Sequence, residues 1–244
     1  MMLPEAGSSR VVFATAADEL ADRVLGVLRG AENAAFIARH VDAAPDAMAA
    51  LAALRVVGAD VFAPHLLTDT RLDPEDAAAV ARSLTAFPTA TVAPGAAEDP
   101  AAWAVAWRDW AVAELLARLD GGRHPVPPPG EEPPPDDWRS RSARMAQLAP
   151  LATPELDGPV HEAARRDTLA LCRGVTRSML RRDYLTAVRL IRWLARLHRD
   201  GVALPLDPRP ALDHAAMLGG HGPRTALDIA VAERMLGPNG EEDR

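Results

Sequence analysis

Ten arginines stand between Arg165 and Arg199, interrupted only by Asp167 and Asp183 and closed by Asp200, in a chain of 244 residues that contains no lysine. A guanidinium keeps its charge at any relevant pH and presents a planar fork of donors that matches the oxygens of carboxylate, phosphate or sulfate. The clustering therefore predicts where an anionic ligand would sit.

A second feature points the same way. The stretch Leu218-Gly-Gly-His-Gly-Pro-Arg-Thr225 runs from a glycine-rich turn straight into a helix expected to start at Pro223. Gly220 and Gly222 would let the backbone approach a ligand closely, and the first free amides of the helix would face it. His221, Arg224 and Thr225 add side-chain donors, so an oxyanion suits the position. The spacing fits neither a Walker A nor a Rossmann loop. The other reading is structural: Gly219 stops the preceding helix and the rest is a tight turn with a proline start.

The third feature is His161-Glu162-Ala-Ala-Arg165-Arg166. Its spacing is that of the zinc-binding HExxH, except that Arg165 stands where the second histidine is needed, which removes the zinc reading. What remains is an acid/base His161 or Glu162 beside the guanidiniums of Arg165 and Arg166, or else a solvated helix face laced with i,i+4 ion pairs.

Trp103, Trp107 and Trp110 recur at helical spacing and share one face, either a core stripe, a contact with another copy, or an apolar pocket wall in which Trp107 touches substrate. His198 and His214 match no metal-ligand spacing, and there is no GxSxG, CxxC or EF-hand pattern. Cys172, the single cysteine, has no histidine beside it in sequence.

These residues sketch a cofactor- and metal-independent enzyme, a transferase, lyase or cyclase acting on a small anionic metabolite. Arginines would grip an oxyanion and stabilise it as a leaving group, while His161, Glu162 or His221 removes a proton. The alternative is a non-catalytic interaction or scaffold protein whose Arg-rich face and tryptophan stripe dock a partner or a second copy as a homodimer. Nucleic acid does not fit: the chain carries a net charge of −7, whereas phosphate neutralisation calls for a basic protein.

The elements that must position such residues follow from composition. With 48% hydrophobic but only 4% aromatic residues, the core must be built of Ala, Leu and Val, which favours close-packed helices. The expectation is an all-α, multi-helix, bundle-like fold. Helices are predicted over 16–29, 31–41, 45–57, 74–86, 100–120, 138–148, 158–181, 184–199, 209–218 and 223–236. Asp73-Pro74, Asp99-Pro100 and Thr153-Pro154 serve as helix-start signals. Val11 to Ala14 and Val61 to Ala63 are the only strand candidates.

The segment HPVPPPGEEPPPDD, residues 124–137, holds seven prolines and reads as a semi-rigid spacer. It would divide an acidic N-terminal lobe, 1–123, from an Arg-rich C-terminal lobe, 138–244. Residues 1–137 carry 10 Arg against 21 acids and residues 138–236 carry 16 Arg against 10 acids. Such lobes should attract each other, or the opposite lobe of a second copy. Arginine without lysine amid abundant alanine suggests codon bias in a GC-rich bacterial genome, which explains the number of arginines but not their clustering. Neither a signal peptide nor an 18-residue apolar run is recognisable, so a cytoplasmic protein is expected.

Overall fold

A computed structural model describes residues 6–68, 70–88, 100–121, 127–129, 137–219 and 222–238. The fold is all-α, and among the described residues there is no strand. In chain order the helices are α1 (Ala6–Leu28), α2 (Ile37–Ala43), α3 (Ala47–Val57), α4 (Ala63–Leu67), α5 (Pro74–Ala86), α6 (Pro100–Leu119), α7 (Trp138–Gln147), α8 (Pro159–Arg166), α9 (Thr168–Leu180), α10 (Tyr184–Arg199), α11 (Pro208–Leu218) and α12 (Pro223–Leu236). Two 3-10 turns, Gly58–Phe62 and Ala149–Leu151, link α3 to α4 and follow α7.

Helix starts are set by aspartate caps. Asp46 accepts from the amides of Met48 and Ala49, Asp73 from Glu75, Asp137 from Ser140, Asp183 from Thr186 and Asp207 from Arg209. Phe36, ahead of α2, has no capping side chain, and a distant residue does the work. Buried Asp76 on α5 accepts from the amides of Phe36 at 2.9 Å and Ala38 at 2.7 Å, which pins α2 to α5.

α10 is the central helix. Ala187, Val188, Leu190, Ile191, Trp193, Leu194, Ala195 and Leu197 are all buried, and α7, α9, α11 and α12 pack around it. The first half of the chain closes onto this group: α1 lies between α3 and α12, and α6 meets α7. One contiguous apolar core runs from Ala17 to Met235. The apolar run Ala47–Leu67 is long enough to cross a membrane, yet most of it is buried within this core. It is also broken by Gly58, whose φ of 68° turns the chain at the end of α3.

Several expectations are corrected. Val11 to Ala14 is helical, because Leu20, Ala21, Val24, Leu25 and Leu28 continue a 3-4 rhythm that buries one face of α1. Val61 to Ala63 belongs to the 3-10 turn and α4 rather than to a strand. The helix expected over 31–41 begins only at Ile37, after a turn in which Asn33 accepts from the Ala35 amide. Thr153-Pro154 starts no helix, since Glu155 takes a φ of 69° and turns the chain. The helix expected over 158–181 breaks at Asp167, which ends α8 and begins α9. Residues 122–126 and 130–136, most of the proline-rich segment, lie outside the described residues, as do Gly220 and His221.

Candidate anion-binding cleft

The arginines of α10 divide by depth. Arg192 is fully buried, its guanidinium held by both oxygens of Asp60, by Asp228 at 3.0 Å and by the Ala152 carbonyl, which accepts from Nε at 3.2 Å. Arg196 bonds Asp200 and the Thr153 carbonyl. These two cations of the dense segment are ties in the interior. Burial works against the charge of Arg192, but the Asp60 and Asp228 carboxylates outweigh it and hold its pKa above the ordinary value.

The carboxylates reach Arg192 from far along the chain. Asp60 sits on the 3-10 turn after Gly58, and Asp228 sits inside α12 between buried Leu227 and Ala230. Burial pushes the Asp228 carboxyl up, and the charge of Asp60 adds to this, against the pull of Arg192 and Arg189.

Above this buried triad the surface opens into a cleft of about 370 Å³. Its walls come from α3, α6, α7, α10 and α12. Val56, Val57, Ala104, Val105 and Leu227 are apolar, while Arg108, Arg189, Arg224 and Gln147 bring polar groups to the opening and Asp60 and Asp228 lie among the lining residues. The size is that of a small-molecule site.

The three lining cations differ in how they are satisfied. Arg224 is exposed and bonds Asp18 on α1 at 2.7 Å. Arg189, half-buried, lies 3.6 Å from Asp228. Arg108, on α6, has no acidic partner among the described residues, and its Nε is buried with nothing to donate to. The neighbouring acid is taken, because Asp109 is paired with Arg55, which also donates to the Phe87 carbonyl. Burial lowers the Arg108 pKa, with Arg189 and Arg55 pushing the same way and Asp109 opposing. A cation partly withdrawn from water, whose neighbouring carboxylate is already paired with another arginine, is costly, and an oxyanion entering the cleft would relieve that cost.

Of the residues singled out from sequence, Arg224 lines this cleft. Gly222 is the N-cap of α12 and Thr225 is buried in its first turn. His161 lies elsewhere, in the core against Trp193 at 5.4 Å between ring centroids. Its Nε2 donates to the Leu151 carbonyl at 2.9 Å, its Nδ1 has no partner, and burial lowers its pKa to about 4. Glu162 and Arg166 are exposed on α8, and Arg165 is ion-paired with Asp157 at 3.0 Å. Among the described residues, this group and Arg224 do not line one cavity. Trp107 is fully buried, packed between a tilted Trp103 ring and an edge-on Trp110 ring, and does not line the cleft.

Arg108, Asp60 and Asp228 went unmarked by sequence reasoning, and Arg189 was one arginine among ten. The available signal was local: Arg108 interrupts an α6 otherwise rich in Ala, Val and Trp. Among the described residues no three His, Cys, Asp or Glu side chains converge as a metal ion would require. No protein-family model, curated protein or solved structure matches this chain.

Proposed function

We propose that the cleft between α6, α7, α10 and α12 binds a small molecule through an oxyanion, gripped by Arg108 and Arg189 with Arg224 at the rim. The observation that carries this reading is Arg108, a half-buried residue that lines a cavity of ligand size, has no acidic partner among the described residues and keeps a buried Nε without a hydrogen bond. Two charge-assisted hydrogen bonds to one oxyanion would satisfy it.

A catalytic version of the reading is favoured by Asp228. It lines the same cleft, and its burial beside Asp60 holds its carboxyl above the usual range, as a proton acceptor for an anionic substrate requires. A transferase, lyase or cyclase without a cofactor is consistent with that group, with Asp228 in the role that the sequence suggested for His161. The docking alternative loses its tryptophan stripe, since all three indoles are buried.

The test is calorimetric titration of inorganic phosphate, sulfate and citrate at fixed ionic strength into the wild type and Arg108→Leu. The reading expects one of these anions to bind the wild type and the variant to lose about 10- to 100-fold in affinity, the worth of a charged hydrogen bond. Equal affinity in both proteins would sink it.

A further inference from the structure

The cleft has a neighbour. On the other side of the last turn of α7 lies a second cavity of about 320 Å³, and Ala146, Gln147 and Arg189 line both. Gln147, exposed at the end of α7, therefore forms the partition rather than a closed wall.

The second cavity is more basic than the first. Arg177 and Arg181 stand one helical turn apart at the end of α9, and neither has an acidic partner among the described residues. Arg139, which pairs with Asp137 at 3.4 Å, approaches from α7, and Arg189, 3.6 Å from Asp228, from α10. The one lining acid, Asp183, is engaged in capping α10 through the Thr186 amide. Cations are at home at a helix C-terminus, which accounts for Arg177 and Arg181 on α9 but not for the approach of arginines from two other helices. The floor is polar as well: the Ser178 side chain is buried and makes no hydrogen bond among the described residues. Gly174 allows this floor to form, because a Cβ there would meet the Ser142 Cβ at 2.6 Å and hold α7 and α9 apart.

We propose that the ligand of this protein is a small molecule with two anionic groups. One is held at Arg108 and Arg189, the other at Arg177 and Arg181, with the connecting chain passing Gln147. The inference rests on the anion-binding reading of the first cleft and adds the second charge. Treated as touching spheres, cavities of these two volumes have centres roughly 9 Å apart. A diphosphate is too short for that span, whereas two phosphates or carboxylates separated by a short carbon chain, as in a sugar bisphosphate, match it.

The experiment compares butane-1,4-diyl bisphosphate, 4-hydroxybutyl phosphate and pyrophosphate by calorimetry at constant ionic strength. The wild type and an Arg177→Ala/Arg181→Ala double variant are each titrated, with folding checked by circular dichroism. Both substitutions are at exposed positions, so the fold is not at stake. The wild type is expected to prefer the bisphosphate over the other two by about tenfold or more, because the second group binds intramolecularly once the first is seated. The double variant is expected to bind the bisphosphate no more tightly than the monophosphate.

Equal wild-type affinities for bisphosphate and monophosphate overturn the two-charge proposal while leaving the first cleft standing. So does a preference that survives in the double variant. Failure of the wild type to bind any of the three refutes the anion cleft itself and this proposal with it.

Discussion

Replacing Arg108 by leucine should make the unliganded protein more stable while removing its ligand. The guanidinium Nε is buried without a partner, and burial works against the charge, with Arg189 and Arg55 adding to this and Asp109 opposing. An unsatisfied buried donor of this kind costs on the order of 1–3 kcal/mol. Leucine retains part of the apolar packing of the arginine stem and forgoes about 1 kcal/mol of it. The balance is a gain of about 1 kcal/mol, or about 2–4 °C in Tm for a chain of this length.

The assay is urea unfolding in a non-coordinating buffer, repeated with the tightest-binding anion of the panel. Without anion the variant should have the higher midpoint. With anion near 100 times its Kd the wild type should gain about 2.7 kcal/mol and the variant much less, so the order reverses. If Arg108→Leu unfolds more easily than the wild type by about 1 kcal/mol and responds to the anion just as strongly, Arg108 is a structural residue and the reasoning fails.

Two further outcomes follow from buried groups. The fold holds His161 neutral, with a pKa near 4 against 6.5 unfolded, so the unfolded chain takes up the proton first as pH falls. The contribution is full above pH 6.5 and is lost progressively down to about 4. Between pH 7.5 and 5 it amounts to about 2 kcal/mol. Urea unfolding of His161→Gln, which keeps a donor for the Leu151 carbonyl but does not titrate, should show a pH dependence weaker by that amount, and an unchanged slope would contradict it. Arg192→Met strands the Asp60 and Asp228 carboxylates in the core and should cost about 3–5 kcal/mol. Adding Asp60→Asn and Asp228→Asn should restore much of the loss, and no recovery would mean that the arginine is needed for packing rather than for charge.

Much of the helical order was legible because caps and apolar rhythm are local. Asp73-Pro74 announces α5 within the sequence itself, and Pro223 opens α12. The misread stretches were those decided from a distance. α2 starts at Ile37 because Asp76, some forty residues on, caps it. Val11-Val12-Phe13 has strand-like residues, but the helix continues through them from the buried face that follows.

The site was harder for the same reason. The number of arginines was plain, but which are buried ties and which are open depends on carboxylates elsewhere in the chain. Asp60 and Asp228 take Arg192, Asp200 takes Arg196, and Asp18 takes Arg224. Arg108 is left over only because Arg55 has claimed Asp109. Such pairings exist only in the folded chain. His161 shows the converse case: the spacing that suggested chemistry places the imidazole in the core, where Nε2 donates to the Leu151 carbonyl and Nδ1 has no partner.

The walls of the first cleft are contributed from both sides of the proline-rich segment, α3 and α6 before it and α7, α10 and α12 after it. A molecule held between Arg108 and Arg189 therefore acts as a clasp. Its binding energy is drawn on whenever the two portions of the chain part, so occupancy and cohesion rise and fall together. Two polypeptides made by cutting within that segment would be expected to reassemble more tightly when the ligand is present, and the strength of their reunion would then report its concentration.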